Sequence, residues 1–263
     1  MKAIILAAGM GDRLRPLTNN KPKCMVELFG KSIIERQIEI FRSCQIDEII
    51  VITGYQSQLI NLKNVTYYSN PKFKTTNMVE TLFCAKEKLT DSVIISYGDI
   101  IFEKYILEKL IVSQEDFSIV VDKNWEKYWK MRFENPLDDA ESLVLDKDNF
   151  ITDIGKKVEN LSDICGQYIG LMKFQNLGLI SLNEFYEKTK EKAKNGINPL
   201  NPDLPFERSY MTDFLRGLIS ENYKLKSIMI ENGWLEVDTI NDYNLYHELY
   251  QNNLLSDLIK IDE

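Results

Sequence analysis

Near its start the chain reads Lys2-Ala-Ile-Ile-Leu-Ala-Ala-Gly9, then Met10-Gly-Asp-Arg-Leu-Arg-Pro-Leu-Thr-Asn-Asn-Lys-Pro-Lys23. Residues 2–8 run apolar with no polar alternation. That predicts a short strand covered on both faces, the kind found inside parallel sheets flanked by helices. The run ends on Ala7, Ala8 and Gly9, with Gly11 close behind. Backbone of this kind lets a ligand approach closely and tolerates a sharp turn. Charge then changes abruptly: Arg13, Arg15, Lys21 and Lys23 stand against Asp12. Backbone donors beside a cluster of cations suit a polyphosphate, so the stretch reads as a nucleoside triphosphate site.

Two commoner phosphate motifs fall short. Gly9-Met-Gly11 opens a G-x-G-x-x-G fingerprint, but the third glycine position holds Leu14, and an irregular loop follows where a helix should start. Gly30-Lys31-Ser32 ends like a Walker A loop whose earlier glycine position holds Met25. A dehydrogenase is therefore disfavoured, and an ordinary glycine turn would leave the basic cluster unexplained.

Downstream, Ser32-x-x-Glu35 forms a capping box ahead of Ile34, Ile38 and Phe41 at helical spacing. Strands are predicted over 49–52, 65–68, 92–97 and 117–121, with a helix over 77–88. The alternation predicts an α/β fold with a doubly wound, mostly parallel, Rossmann-like sheet. Beyond residue 122 the pattern changes. Residues 123–139 are aromatic and charged, 143–154 read as a β-hairpin, and 165–174 as a strand. A charged amphipathic helix over 176–194 leads into an Asn- and Pro-rich loop over 195–205. A helix over 211–218, a strand over 226–230 and a terminal helix over 240–260, capped by Thr239, complete the chain. The expected organisation is one domain over 1–263. It comprises a nucleotide-binding core over 1–122, an acceptor-binding half with a small β-rich lid over 123–239, and a C-terminal helix over 240–263.

With 263 residues the chain suffices for one large α/β domain. A formal net charge of −8 supplies no general field for nucleic acid. Cys24, Cys44, Cys84 and Cys165 lack C-x-x-C spacing and His247 is the only histidine, which argues against a zinc site. The N-terminal apolar run is too short for membrane insertion, and a reducing cytoplasm is the expected compartment.

Leu6-Ala-Ala-Gly9-Met-Gly11-Asp-Arg13, with Pro22-Lys23 beyond it, resembles the signature of the nucleotidyltransferase superfamily that makes nucleotide-sugars and CDP-alcohols. Within it the chain is most similar to small bacterial cytidylyltransferases of the phosphocholine and phosphoglutamine kind. The similarity spans nearly the whole chain, most strongly residues 1–100 and around 234–245. It implies a GT-A-like nucleotidyltransferase fold and transfer of CMP from CTP to a small phosphorylated amino compound, with release of pyrophosphate, for surface polysaccharide or capsule modification. It further implies Mg2+ as cofactor, with CTP and the phosphorylated acceptor as partners and a homodimer admitted.

Nucleotidyl transfer is in-line attack by an acceptor phosphate on the α-phosphorus, so its barrier is mainly charge repulsion and positioning. The resemblance puts Arg13 at the β/γ-phosphates and Lys23 at the α-phosphate. The base is expected over Leu6, Ala7, Ala8 and Gly9, with Gly11 in the same loop and Tyr97 and Gly98 as its boundary. Asn77 either contacts the base or acceptor, or simply caps its helix. For the metal, strand-end carboxylates are the candidates. Asp99 follows directly on the strand over 92–97, and Glu236 and Asp238 alternate on one face of an extended segment. In the resembling enzymes the acids matching Asp99 and Asp238 hold the ion, which leaves Glu236 as an acceptor contact or an exposed strand acid. Magnesium's use of one or two carboxylates plus phosphate and water fits that count.

On the acceptor side, Trp129 matches, by its offset from the fifth strand, an aromatic that phosphocholine cytidylyltransferases use for the choline headgroup. Trp125 lies close by, and Asp213 or Glu236 would supply the acid of a cation box. Lys156 and Gly170 match positions that face the acceptor in related enzymes. Arg132 and Lys157 suit an acceptor that also carries a carboxylate or amide. The competing reading has both tryptophans plugging the lid against the core. Three rival functions remain. A sugar-1-phosphate nucleotidyltransferase using UTP or dTTP is disfavoured by Gly155-Lys156-Lys157, where that family has Glu-Lys-Pro. The second rival is a 2-aminoethylphosphonate cytidylyltransferase. The third, a nucleotide-binding module without turnover, is disfavoured by the joint presence of Arg13, Lys23, Asp99 and Asp238.

Overall fold

The computed structural model describes residues 1–261. Strand β1 (Lys2–Ala7) is buried at every residue. Ala3, Ile5 and Ala7 pack into one hydrophobic core and Ile4 and Leu6 into another, so the two-residue period divides the unbroken apolar run between both faces of the sheet. In chain order there follow β2 (Glu27–Leu28), β3 (Lys31–Ser32), α1 (Ile33–Ser43), β4 (Ile49–Thr53) and β5 (Thr66–Ser69). Then come α2 (Met78–Phe83), β6 (Ser92–Tyr97), β7 (Ile100–Phe102), α3 (Lys104–Val112), β8 (Phe117–Asp122) and α4 (Trp125–Arg132). The second half adds β9 (Glu141–Leu145), β10 (Phe150–Lys157), β11 (Gln167–Gln175), α5 (Leu177–Ala193) and α6 (Met211–Ser220). It closes with β12 (Leu225–Ile230), β13 (Trp234–Glu236) and α7 (Ile240–Gln251).

The main sheet has nine strands in the order β5-β4-β1-β6-β11-β8-β12-β10-β9. Only β11 and β10 run against the common direction, so the sheet is mostly parallel. Helices α1, α3, α4 and α7 cover one face and α2, α5 and α6 the other, the doubly wound arrangement expected of alternating strands and helices. The hairpin β9–β10 does not stand apart as a lid. It extends the same sheet through β12, and β11 inserts antiparallel between β6 and β8. Strands from both halves of the chain therefore share one hydrogen-bonded layer.

Three local expectations change. The capping box at Ser32 and Glu35 starts α1 as expected, but α2 stops at Phe83, because Ala85 leaves helical geometry at φ −111°. The last helix ends at Gln251, and a separate 3-10 turn at Leu255–Asp257 follows it. Helix α4 falls in the stretch read only as aromatic and charged. Trp125, Tyr128 and Trp129 are buried there at i, i+3 and i+4 while Glu126, Lys127 and Lys130 face out. Among the described residues all four cysteines are free, and no helix is long and apolar enough to cross a membrane.

Candidate active site

The site lies where β1 and β6 end side by side. The Gly98 amide donates to the Leu6 carbonyl at 3.0 Å. A side chain at 98 would begin 2.6 Å from that same oxygen, so the close approach of the two strand ends requires glycine. From α1 the buried Gln37 amide donates to the carbonyls of Tyr97 at 2.8 Å and Ile100 at 2.7 Å, and accepts from the Ser96 hydroxyl at 2.9 Å. These bonds bracket Asp99 and fix the turn that carries it. From the opposite side β13 pairs with β7, with Glu236 opposite Ile100.

Four charged side chains meet at this point. The Lys23 ammonium donates to Asp99 Oδ2 at 2.7 Å and to Asp238 Oδ1 at 2.6 Å. Arg13 ion-pairs with the other oxygen of Asp238, Oδ2. Burial by itself would lower the Lys23 pKa, but Asp99, Asp238 and Glu236 outweigh it, and the ammonium is held well above its ordinary value. Burial acts to raise Asp238, yet Lys23, Arg13 and Arg132 carry it below the usual carboxylate range. Glu236 is pushed up, by burial first and then by Asp99 and Asp238, with Arg132 and Lys23 opposing. Asp99 keeps one oxygen, Oδ1, buried with no hydrogen-bond partner among the described residues.

Two cavities open from this centre. One is lined by Leu6, Ala7, Ala8, Gly9, Lys23, Asn77, Tyr97, Gly98 and Asp99. Nothing lies within 4 Å of where a Gly9 side chain would begin, so its backbone is open to a ligand. Asn77 lines this cavity, and its side chain caps α2 by accepting from the Met78 amide at 2.9 Å. Gly11 lies just outside. Its φ of +67° and the nearby Lys23 side chain make it the hinge against which Lys23 packs. Cys24, Phe73, Thr76, Met78 and Thr81 complete the wall.

The second cavity shares the Met78 and Tyr97 walls with the first and adds Arg13, Trp129, Asp139, Glu141, Gln167, Tyr168, Gly170, Tyr210, Thr212 and Glu236. Gly170 has φ +81°, and a side chain there would begin 2.6 Å from the Tyr97 ring, so its glycine gives Tyr97 room between the cavities. The Trp129 indole donates to Asp139 Oδ2 at 3.1 Å. The protein packed around the Glu141 carboxyl, with Asp213 and Asp139 adding like charge, pushes its pKa up to about 7, although the residue as a whole is exposed. Asp139, Glu141, Gln167 and Tyr168 escaped the sequence reading. The only pointer was Gly170, which lies on the strand carrying Gln167 and Tyr168.

Three expected acceptor residues lie elsewhere. Trp125 is 3% exposed and packs edge-on against Trp129 in the core, so the plug reading holds for it. Lys156 is exposed and ion-pairs with Asp153 at 2.8 Å, beside Thr189 and Arg216 and not in the second cavity. Asp213 is consumed in capping α6, accepting from the Tyr210 amide at 2.9 Å and pairing with Arg216 at 3.0 Å. Glu236 and Asp238 also divide their partners: Glu236 pairs with Arg132, and Asp238 with Lys23 and Arg13.

Residues 3–143 match the family of MobA-like NTP transferase domains. A CTP:phosphoglutamine cytidylyltransferase of Campylobacter jejuni subsp. jejuni serotype O:2 is 41% identical over 261 residues, covering 94% of this chain and 100% of that one. A choline-phosphate cytidylyltransferase of Streptococcus pneumoniae is 42% identical over 107 residues, which span 39% of this chain and 47% of that relative. Among solved structures, a CTP:phosphocholine cytidylyltransferase from Streptococcus pneumoniae superposes with a TM-score of 0.72 at 23% identity, covering 95% and 98% of the two chains. At that identity the likeness speaks for the fold.

Proposed function

The chain belongs to the family of MobA-like NTP transferase domains, and we propose that it transfers CMP from CTP to a small phosphorylated compound bearing an amino group, releasing pyrophosphate. One observation carries this reading: a glycine-floored cavity and an acidic, aromatic cleft meet across Lys23, Asp99 and Asp238, with Met78 and Tyr97 walling both. The first cavity suits a nucleotide laid over Leu6–Gly9 with its phosphates toward Arg13 and Lys23. The second is lined by the carboxyl groups of Asp139, Glu141 and Glu236 and by Arg13, with Arg132 paired to Glu236. An acid-lined cleft favours an acceptor whose far end is cationic over one whose far end is an uncharged sugar. The relatives named for phosphoglutamine and for choline phosphate support both the nucleotide and the acceptor class.

Enzymes of this family generally use a divalent metal, and the residues fit one. Asp99 and Asp238 converge on a single cation, the Lys23 ammonium, and Asp99 Oδ1 is buried without a partner. An all-oxygen donor set of two carboxylates suits Mg2+, whose remaining positions go to phosphate and water. Asp99 and Asp238 would hold the ion, which when bound neutralises phosphate charge. Arg13 and Lys23 exchange their aspartate contacts for phosphate oxygens as the triphosphate enters. The acceptor phosphate, already anionic, needs no base. Its oxygen forms the new bond to the α-phosphorus as the bond to pyrophosphate breaks. Lys23 stabilises the charge that builds there, while Tyr97 keeps the two substrates in line.

The test is pyrophosphate release with each of the four NTPs against phosphoethanolamine, phosphocholine, phosphoglutamine and glucose 1-phosphate. CTP with an amino-bearing acceptor is the expected best pair. Faster turnover of UTP or dTTP with the sugar phosphate would replace this reading with the sugar-nucleotide one.

A further inference from the structure

We infer that Arg132 is a positioning residue for nucleotidyl transfer, a single buried guanidinium that holds the acceptor-cleft Glu236 and the Asp238 segment in one fixed relation. Its link to transfer rests on the cytidylyltransferase reading; the clamp itself does not.

The Arg132 side chain is 0% exposed. Its Nε and Nη2 grip both oxygens of Asp242, at 2.8 and 3.2 Å, and Nη1 lies 2.9 Å from Glu236 Oε2. Asp242 reaches onward. Its Oδ2 accepts the backbone N–H of Asp238 at 3.1 Å and of Thr239 at 2.8 Å. Glu236 is clamped through its own backbone as well, donating to the Tyr128 hydroxyl at 2.9 Å and accepting from the Tyr246 hydroxyl at 2.7 Å. The guanidinium also lies 5.3 Å from the centre of the Trp129 ring, which walls the acceptor cleft. One side chain thus touches the acceptor wall, the acceptor acid and the support of Asp238.

Stability is a poor explanation for such an arrangement. Replacing a buried charge cluster by apolar residues of similar volume is often neutral or stabilising. Here Nη1 approaches Glu236 as an ion pair without hydrogen-bond alignment and stays unsatisfied, which costs free energy. What a planar, rigid fork supplies is geometry, and a lysine would reach only one of the two acids at a time. With the fork removed, Glu236 and Asp242 lose their shared counterion. The Asp242 carboxylate is then free to turn from the Asp238 amide, and Asp238 loses its aim at Lys23.

The variants Arg132→Lys and Asp242→Asn, with the exposed Lys130→Ala on the same helix as control, test this. Thermal melting first fixes a temperature at which all are folded. There, Mn2+ binding with and without CTP is followed by electron paramagnetic resonance, and kcat and KM by pyrophosphate release. Both variants should bind Mn2+ roughly 10- to 100-fold more weakly, the range typical when a partner of a metal ligand is lost. They should lower kcat at least as much, with KM for CTP changing less. Asp242→Asn keeps an amide oxygen for the capping bonds, so it decides the matter if Arg132→Lys does not fold. Lower melting temperatures with unchanged Mn2+ affinity and kcat would make Arg132 purely structural and overturn the inference. Loss of Mn2+ affinity in a protein that turns over no nucleotide would sustain the clamp and overturn the cytidylyltransferase reading instead.

Discussion

Val237 donates its backbone N–H to the carbonyl oxygen of Asp99 at 2.9 Å. Through that bond, and the pairing of Glu236 with Ile100, segments far apart in sequence bring Asp99 and Asp238 to the same ammonium. Their separation is set by backbone and not by flexible side chains, which is the condition for a preorganised charge site.

Asp99→Asn and Asp238→Asn should each lower kcat by about 100-fold or more while circular dichroism stays near wild type and melting falls only modestly, because Lys23 keeps the other aspartate as a partner. Each amide keeps the shape of the carboxylate but loses its charge, on the scale of removing one preorganised group. Near-normal Mg2+-dependent rates in both variants would remove the metal assignment.

Lys23→Ala should depress kcat far more than it raises KM for CTP, because its charge matters most where charge develops. It also strips the shared counterion from Asp99 and Asp238, whose side chains are 15% and 13% exposed. Without divalent metal the variant should be about 1–3 kcal/mol less stable, after allowing for partial solvent screening. Melting curves with and without Mg2+ check this: the ion should rescue the variant by more than it stabilises wild type.

Glu141, with its pKa pushed up to about 7 by burial and by Asp213 and Asp139, gives a pH dependence of defined sign. Below pH 7 it carries a proton and no charge, so an ammonium-bearing acceptor should bind more weakly and its KM should rise as pH falls from 8 to 6. Stability runs in the same frame. The folded state holds this proton more tightly than the unfolded chain. The residue's contribution therefore worsens as pH climbs from about 4.5 to about 7. Glu141→Gln should flatten both trends; a KM profile of unchanged shape would exclude Glu141 from the acceptor.

Trp129→Phe should raise KM for the acceptor several-fold and spare KM for CTP, since it deletes the indole bond to Asp139 in the cleft wall. Trp125→Phe, made in the core behind it, should change neither constant. Its effect should appear only as a stability loss of about 1–3 kcal/mol from the lost volume. Equal KM effects in the two variants would mean that neither ring is specific to the acceptor.

Much of the first cavity was legible because its signals are local. The apolar run of β1, the glycines after it, Lys23 behind Pro22, and Asp99 directly after β6 depend on neighbours in sequence. In the structure Leu6–Gly9, Lys23 and Asp99 line one cavity, with Gly11 just outside it. The acceptor side was legible only in part. Trp129 and Glu236 face the cleft, but Trp125, Lys156 and Asp213 do not. Nothing in a helical repeat says which of two buried tryptophans four residues apart borders a cleft. Nor does the sequence say that Asp213 will be spent on capping its own helix.

By itself, then, the sequence determined the alternating strands and helices, the glycine- and cation-bearing loop after β1 and the strand-end position of Asp99, because two-residue and helical periods act over short range; the family resemblance singled out Asp238. Only the tertiary structure decided how β11 enters the sheet against its neighbours. Only it decided that Asp139 and Glu141 line a cleft with Gln167, and that Arg132 joins Glu236 to Asp242. Those relations come from chain segments distant in sequence. Their partners are chosen by which faces the packing of the nine-stranded sheet, the β7–β13 pair and the helices leaves opposite one another.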